Sequence, residues 1–186
     1  MKEKNVVFTV EKELIDKFDA HLLGIKHYAF SVFIFNDSRE LLLQKRANSK
    51  YHSASLWSNT CCSHPLSSDL DEVRMQSRQR LKEEMGLSSE IDFLFVFEYQ
   101  EVCGNLIENE HDFVFGGFSS EQIPTFDKSE VSECRWVKLE AILQDVKANP
   151  DNYTKWICQS QLCHPCRSYR ATFEPPFADR NYALFG

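Results

Sequence analysis

Glu108 and Glu110 stand two apart in Ile107-Glu108-Asn109-Glu110-His111-Asp112, a segment that runs on through Phe113, Val114 and Phe115. Side chains alternate across a strand, so the two carboxylates share one face. They repel unless a cation or a proton lies between them, although for an isolated pair of this kind a solvated strand face is the commoner account. A second reactive group is Trp57-Ser58-Asn59-Thr60-Cys61-Cys62-Ser63-His64-Pro65. If Cys62 to His64 is extended, its thiol and imidazole project to the same side, and Cys61 points the other way, toward plain packing. The commoner fate of any single cysteine is to act as a small buried hydrophobe. His21 and His27 add two imidazoles, each of which taken alone reads as an ordinary satisfied histidine.

Lys17, Arg46, Lys50 and Arg80 are scattered through an acidic chain and singly read as solvated surface. Together they can bind a diphosphate, arginine by paired hydrogen bonds and lysine as a point charge. Arg80 and Glu84 are four residues apart, one turn of a helix. They read either as a surface ion pair or as a phosphate ligand beside a carboxylate that holds a phosphate-bridging Mg²⁺.

The elements that must carry these groups are marked. Asn5 to Val10 and Tyr28 to Phe35 are rich in Val and Phe and predict strands, the second buried on both faces. Asn36-Asp37-Ser38 signals a turn, after which Glu40 to Arg46 runs back as a hairpin partner. Asp69 to Met85 has a helical pattern, with Leu70, Val73, Leu81 and Met85 on one side. Asp69 and Glu72 resemble a capping box, and Gly86 falls where a left-handed C-terminal cap is wanted. Strands are expected at Ile91 to Tyr99, Ile107 to Phe118 and Glu133 to Val137, and a second helix over Leu139 to Ala148, stopped by Pro150. Strands interleaved with helices predict an α/β (α+β) sandwich, a mixed sheet covered on both faces.

The chain has 186 residues, enough for one sizeable core. A formal charge of −7 argues against nucleic acid or anionic membrane as a general partner. Met1 to Leu14 lacks the apolar core of a secretory signal, and the longest apolar stretch falls short of the about 20 residues a membrane span needs. Seven cysteines suit a reducing compartment, and the expectation is a soluble, cytoplasmic protein.

Read in order, these pieces resemble the type I isopentenyl-diphosphate isomerases of the Nudix superfamily from about Lys17 to Trp156. The matching stretches are His27-Tyr28-Ala29-Phe30-Ser31, Gln44-Lys45-Arg46-Ala47 with Lys50, Trp57-Ser58-Asn59, Cys62-Ser63-His64-Pro65, Glu84-Met85-Gly86, Glu108-Asn109-Glu110 and Trp156. The resemblance implies a Nudix-type fold and reversible conversion of isopentenyl diphosphate to dimethylallyl diphosphate. It implies that His21, His27, His64, Glu108 and Glu110 bind one Mn²⁺, Mg²⁺ or Zn²⁺, and that Glu84 binds a Mg²⁺ carried by the diphosphate. It makes Cys62 and Glu110 the proton-handling pair on opposite faces of the substrate. It further implies that Tyr99 orients Glu110, and that Trp156 steadies a tertiary carbocation by about 2 kcal/mol or more. Lys17, Arg46, Lys50 and Arg80 would grip the diphosphate. The expected partner is a small prenyl diphosphate, and the expected assembly a monomer or homodimer.

Gln79 and Arg80 occupy the positions where Nudix hydrolases carry an Arg-Glu pair, which favours holding a diphosphate over cleaving it. Hydrolysis of a prenyl or nucleoside diphosphate is the alternative. Cys158, Cys163, His164 and Cys166, the last three in a CxxC spacing, suggest a rival metal or redox role. The expected division is an isomerase domain at 1–157 and a C-terminal extension at 158–186 with little periodicity.

Overall fold

The computed structural model describes residues 5–159. The amino-terminal apolar run yields β1 (Val6–Phe8), shorter than expected, paired antiparallel with β2 (Leu14–Asp16). Asp16 ends that strand and caps α1 (Lys17–Leu23), its side chain accepting from the Phe18 and Asp19 amides. Gly24, at φ 64°, closes this seven-residue helix.

Next come β3 (His27–Phe35), β4 (Glu40–Arg46), β5 (Trp57–Ser58) and β6 (Cys61–Ser63). β4 is a hairpin partner of β3 at one residue pair only, Phe35 with Leu41. Beyond the turn the strands part. β6 takes the edge of β3 from Phe30 to Val32, and β4 pairs with β5 and β9 (Val131–Lys138) instead.

α2 (Leu70–Met85) begins where expected: the Asp69 carboxylate accepts from the amides of Asp71 and Glu72. The reciprocal half of a capping box is replaced, because the Asp69 amide donates to Ser67 Oγ at 3.1 Å. Gly86 adopts φ 68° and returns its amide to the Lys82 carbonyl. β7 (Ile91–Cys103) and β8 (Leu106–Phe118) form a long antiparallel hairpin. β8 also runs parallel to β3 along nine residue pairs, beginning with His27 beside Glu110. α3 (Leu139–Ala148) stops before a 3-10 turn at Pro150–Asn152, and α4 (Lys155–Gln159) follows.

The alternation of β3 divides the core. Phe30, Val32 and Ile34 pack with Val73, Leu81 and Met85 of α2 on one face. Phe33 and Phe35 pack with Ile142, Val146 and Trp156 of α3 and α4 on the other. The result is the expected mixed sheet between helices, with burial of both faces as its main stabilisation. Among the described residues, no helix is long and apolar enough to cross a membrane.

Candidate active site and metal centre

A cavity of about 240 Å³ opens on the sheet near the β3–β8 pairing. Lys17, Arg46, Lys50, Cys62, His64, Glu84, Glu108, Glu110 and Trp156, all anticipated from sequence, line it. His21, His27 and Tyr99 stand behind these residues, in contact with the acids.

Strand alternation and register assemble the acid and imidazole group. Glu108 and Glu110 share a face of β8 as expected, and both are almost fully buried, which excludes the solvated-face reading. Parallel register sets His27 beside Glu110, and α1 brings His21 down onto Glu108. β6 supplies Cys62, and His64 follows at its end. One ligand atom from each of His21, His27, His64, Glu108 and Glu110 lies within 4.8 Å of all the others.

The imidazoles are oriented from behind. His21 Nδ1 lies 2.6 Å from the Lys17 carbonyl and His27 Nδ1 lies 2.7 Å from that of Ile25. Carbonyl oxygens only accept, so in the neutral rings these nitrogens carry the protons and both Nε2 atoms present lone pairs. Neither Nε2 makes a hydrogen bond. They face carboxylate oxygens instead, His21 at 3.3 Å from Glu108 Oε2 and His27 at 3.6 Å from Glu110 Oε1. Buried lone pairs aimed at carboxylates repel, and a cation between them removes the repulsion. The donor set therefore fits one divalent ion.

Each acid offers its two oxygens to different neighbours. Glu110 Oε1 meets His64 Nε2 at 3.0 Å, and its Oε2 accepts from the Tyr99 hydroxyl at 2.6 Å. Burial opposes ionisation of Glu110, but its contacts with the His27 and His64 imidazoles overcome it and hold its pKa well below the usual range. Glu108 is raised, by burial first and then by the charge of Glu110. Burial pushes the Cys62 thiol up to about 12, which keeps it protonated. Cys61 is fully buried on the opposite face with Val73 and Leu81, the packing position expected for it.

On the other wall, Arg46 reaches in from β4 with its guanidinium 5.2 Å from the centre of the Trp156 ring. Trp156 is fixed by its indole N–H, which lies 2.8 Å from Ser58 Oγ and 3.1 Å from Asn59 Oδ1. Lys50 is paired with Glu130. Glu84 is buried at the cavity wall, where Gln44 donates to it at 3.3 Å. Arg80 is absent from the lining. Its Nε lies 2.7 Å from Glu84 Oε1 and its Nη2 lies 3.1 Å from Glu130 Oε2, so it sits behind Glu84 rather than facing the cavity.

Sequence reasoning passed over an acid and an imidazole of this cavity. Asp112 is buried on the face it shares with Glu108 and Glu110 and accepts from Ser31 Oγ at 2.8 Å. Extending the same alternation by two residues identifies it. His52, two residues after Lys50, places Nε2 3.4 Å from Glu108 Oε1. Burial, and next the charge of Arg46, lower its pKa to about 2, so it is neutral. It lies in a loop without periodicity, and its only sequence signal was its nearness to Lys50. Of the tail cysteines, Cys158 lies half-buried in α4, while Cys163, His164 and Cys166 lie outside the described residues.

The family model for the NUDIX domain matches residues 25–157. Among curated proteins, the chain is 47% identical over 157 residues to isopentenyl-diphosphate Delta-isomerase 1 of Aromatoleum aromaticum, covering 83% of this chain and 84% of that one. It is 38% identical over 144 residues to isopentenyl-diphosphate Delta-isomerase of Pectobacterium atrosepticum, covering 77% and 79%. Among solved structures, a Deinococcus radiodurans protein superposes with a TM-score of 0.64 at 14% identity, covering 84% of this chain and 96% of that one. A MutT protein of Methanosarcina mazei superposes with a TM-score of 0.54 at 19% identity, covering 64% and 81%. Both structural likenesses speak to the fold.

Proposed function

Because the chain belongs to the Nudix family and, within it, to the isopentenyl-diphosphate Delta-isomerases, we infer that it interconverts isopentenyl diphosphate and dimethylallyl diphosphate. The observation that carries the assignment of roles is the placement of a protonated thiol, Cys62, and an ionised carboxylate, Glu110, on one small cavity walled by Trp156.

An alkene is a weak base, so protonating it requires a fixed acid and a site that excludes water. In the reading proposed here, Cys62 gives its proton to the terminal methylene carbon, and the alkene's electron pair forms the new C–H bond. This leaves a tertiary cation at the branched carbon. Glu110 then takes a proton from the methylene on the diphosphate side, and that C–H pair becomes the new double bond. Trp156 steadies the cation through its ring face, and Tyr99 orients Glu110 through their 2.6 Å hydrogen bond.

His21, His27, His64, Glu108 and Glu110 would hold Mn²⁺, Mg²⁺ or Zn²⁺, whose charge keeps the paired acids ionised and in place. Glu84 would hold Mg²⁺ arriving with the diphosphate, which Lys17, Arg46 and Lys50 grip directly. Arg80 serves that grip from behind, through Glu84. Hydrolysis is set aside on the kinship to isomerases. Arg80 agrees, since it stands where the hydrolases carry a glutamate and so removes one helix carboxylate from the water-activating cluster of metal ions that they need. We further propose a cytoplasmic enzyme, monomeric or homodimeric, with no nucleic-acid or membrane partner. Its isomerase domain spans 1–157, with 158–186 as an extension.

Proton NMR in deuterated water with Mg²⁺ and isopentenyl diphosphate tests the reading. Dimethylallyl diphosphate carrying deuterium is expected. Released phosphate, or substrate unchanged with metal present, would overturn it.

A further inference from the structure

We propose that His52 is the positioning residue of Glu108, as Tyr99 is of Glu110, and that it ties the diphosphate-binding loop to the metal centre. The consequence for turnover rests on the isomerase reading; the consequence for metal binding does not.

The two acids are held in matching ways. Glu110 turns Oε1 to His27 and His64 and gives Oε2 to the Tyr99 hydroxyl. Glu108 turns Oε2 to His21, and its Oε1 faces His52 Nε2 at 3.4 Å. Glu108 Oε1 is buried and accepts no hydrogen bond as it stands, so the His52 nitrogen is the donor within reach of it. His52 Nδ1 lies 3.2 Å from Ser53 Oγ, a hydroxyl able to donate to it, which leaves the ring proton on Nε2. A small rotation of the ring aligns that N–H with the carboxylate. Such a donor on the outer oxygen leaves the inner one free for the ion and fixes its direction.

The rest of His52 touches the other half of the site. Its carbonyl accepts from Arg46 Nη2 at 3.4 Å, and its ring meets Trp156 edge-on at 6.0 Å and Tyr51 at 4.4 Å. The loop is set rather than loose. Ser53 and Ser55 hold left-handed backbone at φ 49° and 63°, the Ser55 amide donates to the Arg46 carbonyl, and Ser55 Oγ donates to Asn48 Oδ1 at 2.6 Å. Such strained positions persist where the surroundings over-determine them. One residue thus connects the loop of Lys50 and Tyr51, the diphosphate-facing Arg46, the Trp156 wall and the metal-facing Glu108.

The test is Mn²⁺ titration of metal-free full-length protein, read by calorimetry, with thermal melts alongside. His52→Phe keeps the ring and removes the donor, and should bind Mn²⁺ about 10–100-fold more weakly. His52→Gln restores an N–H at similar reach and should bind within a few-fold of the unsubstituted chain. In turnover, kcat should follow the metal affinity, with KM for isopentenyl diphosphate less affected. Unchanged Mn²⁺ affinity in His52→Phe overturns the proposal, as does a His52→Gln defect equal to that of His52→Phe. Should His52→Phe lose its native melt, His52→Gln against His52→Asn decides: tight binding only with the longer amide supports the proposal, and equal binding overturns it. An unsubstituted chain that binds Mn²⁺ yet makes no dimethylallyl diphosphate would sink the isomerase reading and leave the His52 comparison standing.

Discussion

Tyr99 donates to Glu110 Oε2 at 2.6 Å while His64 lies 3.0 Å from Glu110 Oε1, so the phenol and the imidazole hold opposite oxygens of one carboxylate. Tyr99→Phe removes the first hold and leaves the second. We expect kcat to fall by about 10–100-fold with KM nearly unchanged, since the substrate's diphosphate is gripped elsewhere. Steady-state kinetics of a variant with an unchanged melt would check this. A tenfold rise in KM at constant kcat would contradict it.

The neighbouring cysteines should separate cleanly. Cys62→Ala removes the proton donor, and dimethylallyl diphosphate should fall below detection by NMR in a folded protein. Cys61→Ala trims a fully buried side chain in the α2-facing core. It should cost about 1 kcal/mol of stability and leave turnover within twofold. Equal losses of activity in the two variants would remove Cys62 from its role.

Metal removal should act on the fold as well as the chemistry. The candidate ligands come from α1, β3, β8 and the end of β6, so an ion there cross-links four elements. Free Mn²⁺ at about a hundredfold its Kd should stabilise the protein by about 2.7 kcal/mol and raise its melting temperature by roughly 5–10 °C. Glu108→Gln should reverse the sign between the two forms. It relieves a buried like-charge pair and stabilises the metal-free protein, yet it weakens the gain from Mn²⁺. Scanning calorimetry of both proteins with and without chelator would show this crossing, and parallel shifts would argue against the ligand set.

Gly86 ties the end of α2 to the loop that follows the β7–β8 hairpin. A Cβ placed there would sit 2.3 Å from the Thr125 carbonyl oxygen, and the backbone is left-handed at φ 68°. Gly86→Ala should cost at least about 1–2 kcal/mol from the backbone conformation alone. The clash adds to that, and it pushes the loop away from Glu84, whose carbonyl accepts from the Asp127 amide at 2.8 Å. A lowered melt accompanied by weaker binding of inorganic diphosphate is the expected pair of results. A variant as stable as the unsubstituted chain would show that the loop gives way freely.

What could be read from the chain, and what could not, divides along physical lines. α2 was legible because its signals are local: Asp69 ahead of an apolar stripe and Gly86 behind it each act within one turn. The shared face of Glu108 and Glu110 followed from strand alternation, and stopping that count at Glu110 hid Asp112. α1 escaped because Phe18, Leu22 and Leu23 are exposed on so short a helix, which blurs the apolar stripe that announces longer ones. The expected β3–β4 hairpin exists at its turn and fails beyond Leu41, because pairing with β6 and β9 is a tertiary choice that no turn signal encodes. Arg80 could not be placed for a related reason. Helical spacing brings it to Glu84, but only the fold decides that Glu130 completes its surroundings behind the cavity wall.

The parting of β3 from β4 after a single residue pair gives the sheet two leaves with separate histories open to them. Arg46 and the loop bearing Lys50 and His52 belong to the leaf of β4, β5 and β9. His27, Cys62, Glu108 and Glu110 belong to the leaf of β3, β6, β7 and β8. Substitutions that retune how a headgroup is held can accumulate on the first without shifting the atoms that exchange protons with carbon on the second. A lineage with this architecture can exchange one half of its chemistry while conserving the other, and His52, reaching across from one leaf to the other, marks where such independence ends.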